Sequence, residues 1–289
     1  LPLIYSSNLY KVSRRIVLLL ILCAPPALAG GDAFPIGARS WGMANAVVAQ
    51  SDRYSVVNNI AGLAGVRDAS LFSSYHTYYG FDGLGTVAFG AVMPVNNSLT
   101  TGLSIQRFGD KLYNELAFGV GAGHRINRIS LGMKINYVQI AVNAPSLALS
   151  RKALAVEMGG IAQLSSRLYF GAHMYNVTQG GFSGESGVRL PTILRAGLTY
   201  RPISGLHLNG ELMKNTAFPT SFRAGLEYAP VPSLFLRTGI ATHPGTNHFG
   251  LGYAANAFNV DYAVHTHSQL GWSHHFTVAY SFARKTKTE

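Results

Sequence analysis

Ile129-Ser-Leu131-Gly-Met133-Lys-Ile135-Asn-Tyr137 is the stretch whose reading decides the fold. Its odd positions are apolar or aromatic, and its even positions are Ser130, Gly132, Lys134 and Asn136. Successive side chains of an extended strand point to opposite faces, so this pattern makes one greasy face and one polar or small one.

The pattern recurs outward from that stretch. Leu206, Leu208 and Leu212 alternate with His207, Asn209 and Glu211. Phe222, Ala224, Leu226 and Tyr228 alternate with Arg223, Gly225 and Glu227. Phe276, Val278, Tyr280 and Phe282 alternate with His275, Thr277, Ala279 and Ser281. Segments of this kind begin near residues 69, 84, 98, 111, 128, 151, 167, 189, 204, 220, 233, 247, 257 and 273. That makes fourteen, an even number, as single-chain bacterial barrels have. Phe81-Asp-Gly83, Asn96-Asn97, Asn127, Pro202, Pro230-Val-Pro232, Pro244-Gly245 and Asn256 supply turn signals between them. Asn143 to Ser150 and Gln179 to Val188 read as the longer loops.

Composition agrees. Only 12% of the 289 residues are charged, about half the usual share of a soluble domain. Glycine (32), tyrosine (15) and phenylalanine (15) are plentiful. After residue 30 no apolar run reaches the ~18 residues that a membrane helix needs. A soluble sandwich of so many strands would leave edges to protect, whereas closure removes them. The fold expected is all-β: a 14-stranded antiparallel transmembrane β-barrel with a small N-terminal plug, in the outer membrane.

Lys11, Arg14 and Arg15 precede the apolar run Ile16 to Ala24, and Ala27-Leu28-Ala29 follows it. This predicts a signal peptide over residues 1–29, cleaved before Gly30. Leucine at residue 1 suggests that the first ten residues or so are upstream translation. Losing the three cations takes the formal charge from +11 to +8. Cys23 is the only cysteine, so the mature chain offers no disulfide framework and no thiolate site. The basic excess suits anionic lipid head groups, and no basic run supports nucleic acid.

Residues 30–68 do not alternate and are expected to form the plug, with Gly37, Trp41, Gly42, Met43, Asp52, Asn58, Asn59 and Gly62 as its characteristic positions. Small and apolar residues at helical spacing predict a short helix from Gly42 to Ala49. Residues 69–283 are the barrel and 284–289 a tail.

Inward positions of the last seven strands carry most of the charge: Arg195, Glu211, Arg223, Glu227, Arg237, His248, Asp261, His265 and His275. Their signs largely alternate between neighbouring strands, so they are expected to pair across strands as a ladder holding wall to plug. A selective polar path is the sharper alternative. Inward glycines such as Gly171, Gly225 and Gly239 make room for the plug or for a hydrophobic ligand. Tyr75, Tyr78, Tyr79, Phe81, Phe108, Tyr169, Tyr175, Tyr253 and Trp272 are expected in the aromatic girdles. His265, His267, His274 and His275 could suggest zinc, but lumen histidines are the expected reading. No triad geometry, phosphate loop or paired carboxylates stand out, so no catalytic residue, metal or cofactor is assigned.

Gly37-Ala-Arg-Ser-x-Gly-Met43, then Ala46, Asp52, Ser55 and Asn58-Asn-x-Ala-Gly-Leu-Ala64, resembles the N-terminal signature of FadL-like barrels, most of all the PorV/PorQ branch. Ile60 stands where that signature has proline. Leu190 to Tyr200, Phe222 to Tyr228 and Phe258-Asn-Val-Asp261-Tyr262 with Leu270-Gly271 are similar to that branch as well. The resemblance implies a non-enzymatic accessory of protein export, of the type IX kind, with exported proteins or a secretion translocon as partners. The alternative it implies is FadL-like passive transport of a hydrophobic small molecule. Outer-membrane lipid is a partner in either case.

Overall fold

The computed structural model describes residues 35–81, 83–145, 147–183 and 190–282. The signal peptide (1–29) and tail (284–289) of the sequence reading lie outside the described residues.

Fourteen strands close into one barrel: β1 (Ala69–Thr77), β2 (Gly85–Pro94), β3 (Leu99–Gly109), β4 (Tyr113–Ile126), β5 (Ile129–Ala144), β6 (Leu147–Gln163), β7 (Leu168–Tyr175), β8 (Ile193–Tyr200), β9 (Leu206–Asn215), β10 (Ser221–Val231), β11 (Leu234–Thr242), β12 (Gly245–Ala255), β13 (Phe258–His267) and β14 (Gly271–Phe282). Every strand pairs antiparallel with its sequence neighbours, and β1 closes on β14 from Ala69↔Phe282 to Thr77↔His274. Closure pairs both edges of the sheet, except that the loop-end half of β6 has no ladder to β7.

The alternation of β5 becomes two environments. Leu131, Met133 and Ile135 are about half exposed (54%, 53% and 50%), while Ser130, Lys134 and Asn136 are buried in the interior. Leu71, Phe89, Val120, Leu154, Leu198, Leu251 and Phe276 share the outward apolar side. An apolar exterior around a polar interior is the inside-out arrangement of an outer-membrane barrel, where lipid covers the wall.

The strand ends differ in their connections. One end, where β1 begins and β14 finishes, has short turns such as Asn127-Arg128 and Ala257 beside Asn256; the other carries the longer ones, above all residues 176–192. These are called the turn end and the loop end. Asn143 to Ser150, expected as a loop, is instead strand on both sides of a tight turn at Pro145, because Asn143 and Ala144 pair with Ala148 and Leu147.

Residues 35–66 fill the lumen. They form helix α1 (Ala38–Gly42) and two 3₁₀ turns, η1 (Arg53–Val56) and η2 (Ile60–Gly65). Ile36 before the helix joins Tyr54, Val56, Ile60 and Leu63 of the turns in a core that packs on Phe72, Ala88, Val92 and Ala279 of the wall. The helix expected over Gly42 to Ala49 is displaced toward the N-terminus. Ala44 and Asn45 take positive φ (53° and 58°), which ends a helix, and the following amides bond to the wall instead. The wall approaches closely where it lacks side chains. A methyl group on Gly225 or Gly239 would meet the Met43 backbone, and one on Gly171 would meet Val48 and Ala49.

Candidate functional site

Carboxylates of the wall hold the plug by its own unpaired donors. Glu211, 1% exposed, accepts from the amides of Val47 (3.0 Å) and Val48 (2.9 Å) through Oε2. Its Oε1 accepts from Arg195 Nε at 2.6 Å, and Arg195 donates onward to the carbonyls of Asn58 (3.0 Å) and Asn45 (2.9 Å). Arg223 stands 4.0 Å from the same carboxylate. A second group centres on Glu227, which accepts from Arg237 Nε (2.6 Å) and from Arg39 of the plug (2.8 and 2.7 Å). Arg39 also pairs with Asp52, and Arg237 reaches Asp261 at 2.7 Å. Tyr54 donates its hydroxyl to the other Asp261 oxygen at 3.2 Å. Burial works against the Arg39 charge, but Glu227 outweighs it and holds the guanidinium pKa above its ordinary value.

The other plug positions of the sequence reading also lie in the lumen. Gly37 takes φ 101°, and Gly42 packs against Gly250 and the Arg237 side chain. Met43 is fully buried beside Gln50 and Asn209. Asn58 donates to Ser40 Oγ (2.8 Å), Asn59 donates to the Val48 carbonyl (2.6 Å) and caps η2, and Gly62 sits against Ser55.

Trp41 lies flat on a row of imidazoles: His275 at 4.1 Å between centroids, His265 at 4.8 Å and His248 at 6.0 Å. His265 Nδ1 faces His275 Nε2 at 2.8 Å, and His275 Nδ1 faces His76 Nδ1 at 2.5 Å. His248 bonds the Trp41 carbonyl at 2.8 Å. Strand register assembles this row, with His76 opposite His275 and His248 opposite His265. His274 faces outward and bonds the Tyr262 hydroxyl at 2.7 Å.

The charged interior is not confined to the second half of the barrel. Glu157 accepts from Asn136 (2.6 Å), lies 3.2 Å from His173 Nε2 and 3.6 Å from Lys134 Nζ, all buried. Lys134 stands at an even, inward position of the alternating stretch Ile129 to Tyr137, and that placement is its sequence signal. The girdle expectation also needs revision. Tyr75, Phe81, Tyr253 and Trp272 are exposed on the outside. Tyr175 is buried inside, Tyr78 and Tyr79 face a lumenal cavity, and Tyr169 lies on the inward side of β7 beneath Arg201. Alternation along β7 turns Tyr169 and Tyr175 inward, whereas Tyr78 and Tyr79 lie past the end of β1, where the chain turns over the lumen.

That cavity has a volume of about 610 Å³ and opens at the loop end above the plug. Trp41 and Ala44 form part of its floor, and Tyr175, Ile193, Met213 and Phe218 much of its hydrophobic wall. Arg223 reaches its side with Nε and Nη1 buried and without hydrogen-bond partners. Burial pushes the Tyr78 hydroxyl up to about 12 and raises that of Tyr79, so both phenols are neutral donors at its rim.

No protein-family model matches the sequence, and no curated protein matches it. Solved structures do match in shape. A FadL homologue from Pseudomonas aeruginosa superposes with a TM-score of 0.64 at 13% identity, covering 88% of this chain and 100% of that one. The toluene transporter TodX of P. putida gives 0.66 at 11% identity over 88% and 100%. The toluene transporter TbuX of Ralstonia pickettii gives 0.65 at 11% over 86% and 98%. At such identities the likeness establishes the fold, that of FadL-like outer-membrane barrels.

Proposed function

We propose that this barrel passes a hydrophobic small molecule across the outer membrane, with its loop end outward. The observation that carries the reading is the loop-end cavity. Its ~610 Å³ lies within the range of small-molecule sites, and its walls are mostly apolar with a few convergent polar groups. The fold likeness to two toluene transporters adds support. The plug, held by Glu211, Glu227 and Asp261, obstructs a straight aqueous route below the cavity, so a wide diffusion pore does not fit.

A route toward the wall fits better. β6 pairs with β7 only from Met158↔Met174 to Gln163↔Tyr169. Among the described residues, its remaining loop-end half is met by isolated backbone bonds, Val177 N–H to Val156 O (2.9 Å) and Ser183 N–H to Lys152 O (2.8 Å). Tyr175, at the head of this seam, also lines the cavity. The export-accessory reading has no counterpart among the structures named above.

The test uses Trp41 as its own probe. With Trp272 changed to Phe, Trp41 is the remaining tryptophan, and toluene is expected to quench it saturably. Met213→Lys, which puts a charge in the cavity wall, should weaken that quenching by about tenfold or more. Delivery of toluene into vesicles containing the barrel should fall with it. Quenching that never saturates, or vesicle uptake equal to that of empty vesicles, would sink the proposal.

A further inference from the structure

Among the described residues, the strand connections of the turn end carry charge of essentially one sign. Arg67, Arg125, Arg128, Arg167 and Arg201 stand in or beside its connections, with Asp68 as the acid among them. These five described cations are arginines, whose planar fork suits two-point bonding to an oxyanion better than a lysine ammonium does. Two of them share one groove of about 350 Å³ between the β6–β7 and β8–β9 turns, where Arg167 and Arg201 face Ser204, Gly205 and His207.

Arg201 is the informative residue. It continues the inward face of β8, and its guanidinium centre lies 4.5 Å from the centroid of the Tyr169 ring, which fixes the fork in place. Its Nε is buried and has no hydrogen-bond partner. Its backbone N–H donates to the Arg167 carbonyl at 2.8 Å, tying the two turns together. Among the described residues no carboxylate forms an ion pair with Arg201 or Arg167, because the acids nearest in effect, Glu227 and Asp52, are engaged by Arg39 and Arg237. Burial lowers the Arg201 pKa and the Arg39 charge adds to that, while Tyr169, Glu227 and Asp52 act the other way without cancelling it. A bound anion would offset the Arg39 repulsion and lie against the groove-facing side of the guanidinium.

We propose that this groove binds a phosphate group, gripped by the Arg201 fork with Arg167 as the second charge. The phosphate could be a lipid head group of the adjoining leaflet or a free phosphate in the water at this end; the chemistry of the grip is common to both.

The full barrel in maltoside micelles, which carry no phosphate, is titrated with inorganic phosphate by calorimetry. Saturable binding is expected. Arg201→Gln should weaken it by about tenfold or more, and Arg201→Lys, which keeps charge but not the fork, by at least about threefold. Arg128→Gln, at the same end but outside the groove, should leave it within about twofold. Barrel migration in unboiled SDS gels reports folding, and Arg167→Gln replaces Arg201→Gln if that variant does not fold. Absence of saturation, or equal weakening by Arg128→Gln, overturns the site in favour of a diffuse basic surface. Competition by a short-chain phosphatidylglycerol then assigns the source: displacement of phosphate at about tenfold lower concentration identifies the head group, and its failure identifies the free anion.

Discussion

Glu211 does at one position what a helix cap does elsewhere. The plug leaves the helical path after Gly42, so the amides of Val47 and Val48 have no partner within the segment, and a wall carboxylate receives both. The same group neutralises Arg195. Glu211→Gln would leave that guanidinium buried without its counter-charge, and breaking such a pair costs about 3–5 kcal/mol. The expected result is a lower urea midpoint for unfolding in vesicles, with the slope unchanged. Gly239 tests packing in place of charge. Its added methyl would lie 2.6 Å from the Met43 carbonyl carbon and 2.7 Å from the Ala44 nitrogen, neither of which can swing aside. Gly239→Ala should therefore destabilise by about 1–3 kcal/mol in the same measurement.

Among the elements, the β3–β4 connection shows how a short turn sets a hairpin. Asp110 accepts from the amides of Tyr113 (2.9 Å) and Leu112 (2.8 Å), and these bonds hold its carboxyl below the ordinary value. A depressed folded pKa stabilises the turn above the unfolded value of about 3.9 and loses that contribution as pH falls through the folded value. The Leu112 and Tyr113 amide resonances should accordingly shift at acid pH. In Asp110→Asn, which retains an acceptor but cannot titrate, the transition should vanish; its persistence would assign it to another group. Helix α1 works differently, since Trp41 rests on imidazoles contributed by β12, β13 and β14. Its seating depends on three strands at once.

For the whole molecule, lipid is the second solvent, and the apolar exterior has meaning only in it. Leu251 lies mid-strand in β12, half exposed, between Leu236 and Tyr262. An arginine there would meet hydrocarbon near the bilayer midplane, at a cost of about 2–4 kcal/mol. Leu251→Arg should lower folding stability in vesicles by that amount and have a much smaller effect in detergent micelles, which deform around the charge. An equal loss in both would place Leu251 outside the hydrocarbon layer. The plug gives the barrel a second role at this scale, filling the lumen below the loop-end cavity and making the interior a packed core with an open vestibule.

By itself the sequence determined the period-two strands, their even number and most of their boundaries. Each of these rests on local signals: alternation along one strand and turn residues between two. The lipid-facing positions of the wall were legible for the same reason, as Leu131, Met133 and Ile135 show. Tertiary structure alone decided who meets whom inside. His76 and His275 are 199 residues apart and meet because closure places β1 beside β14. Lys134 and Glu157 meet because the β5–β6 register sets them opposite each other, and His173 reaches the same carboxylate from the neighbouring inward position, opposite Gly159. The displaced helix, the lumenal tyrosines and the orphaned donor of Arg201 were likewise hidden, since burial and partner supply are properties of a closed wall around a filled interior and not of any one segment.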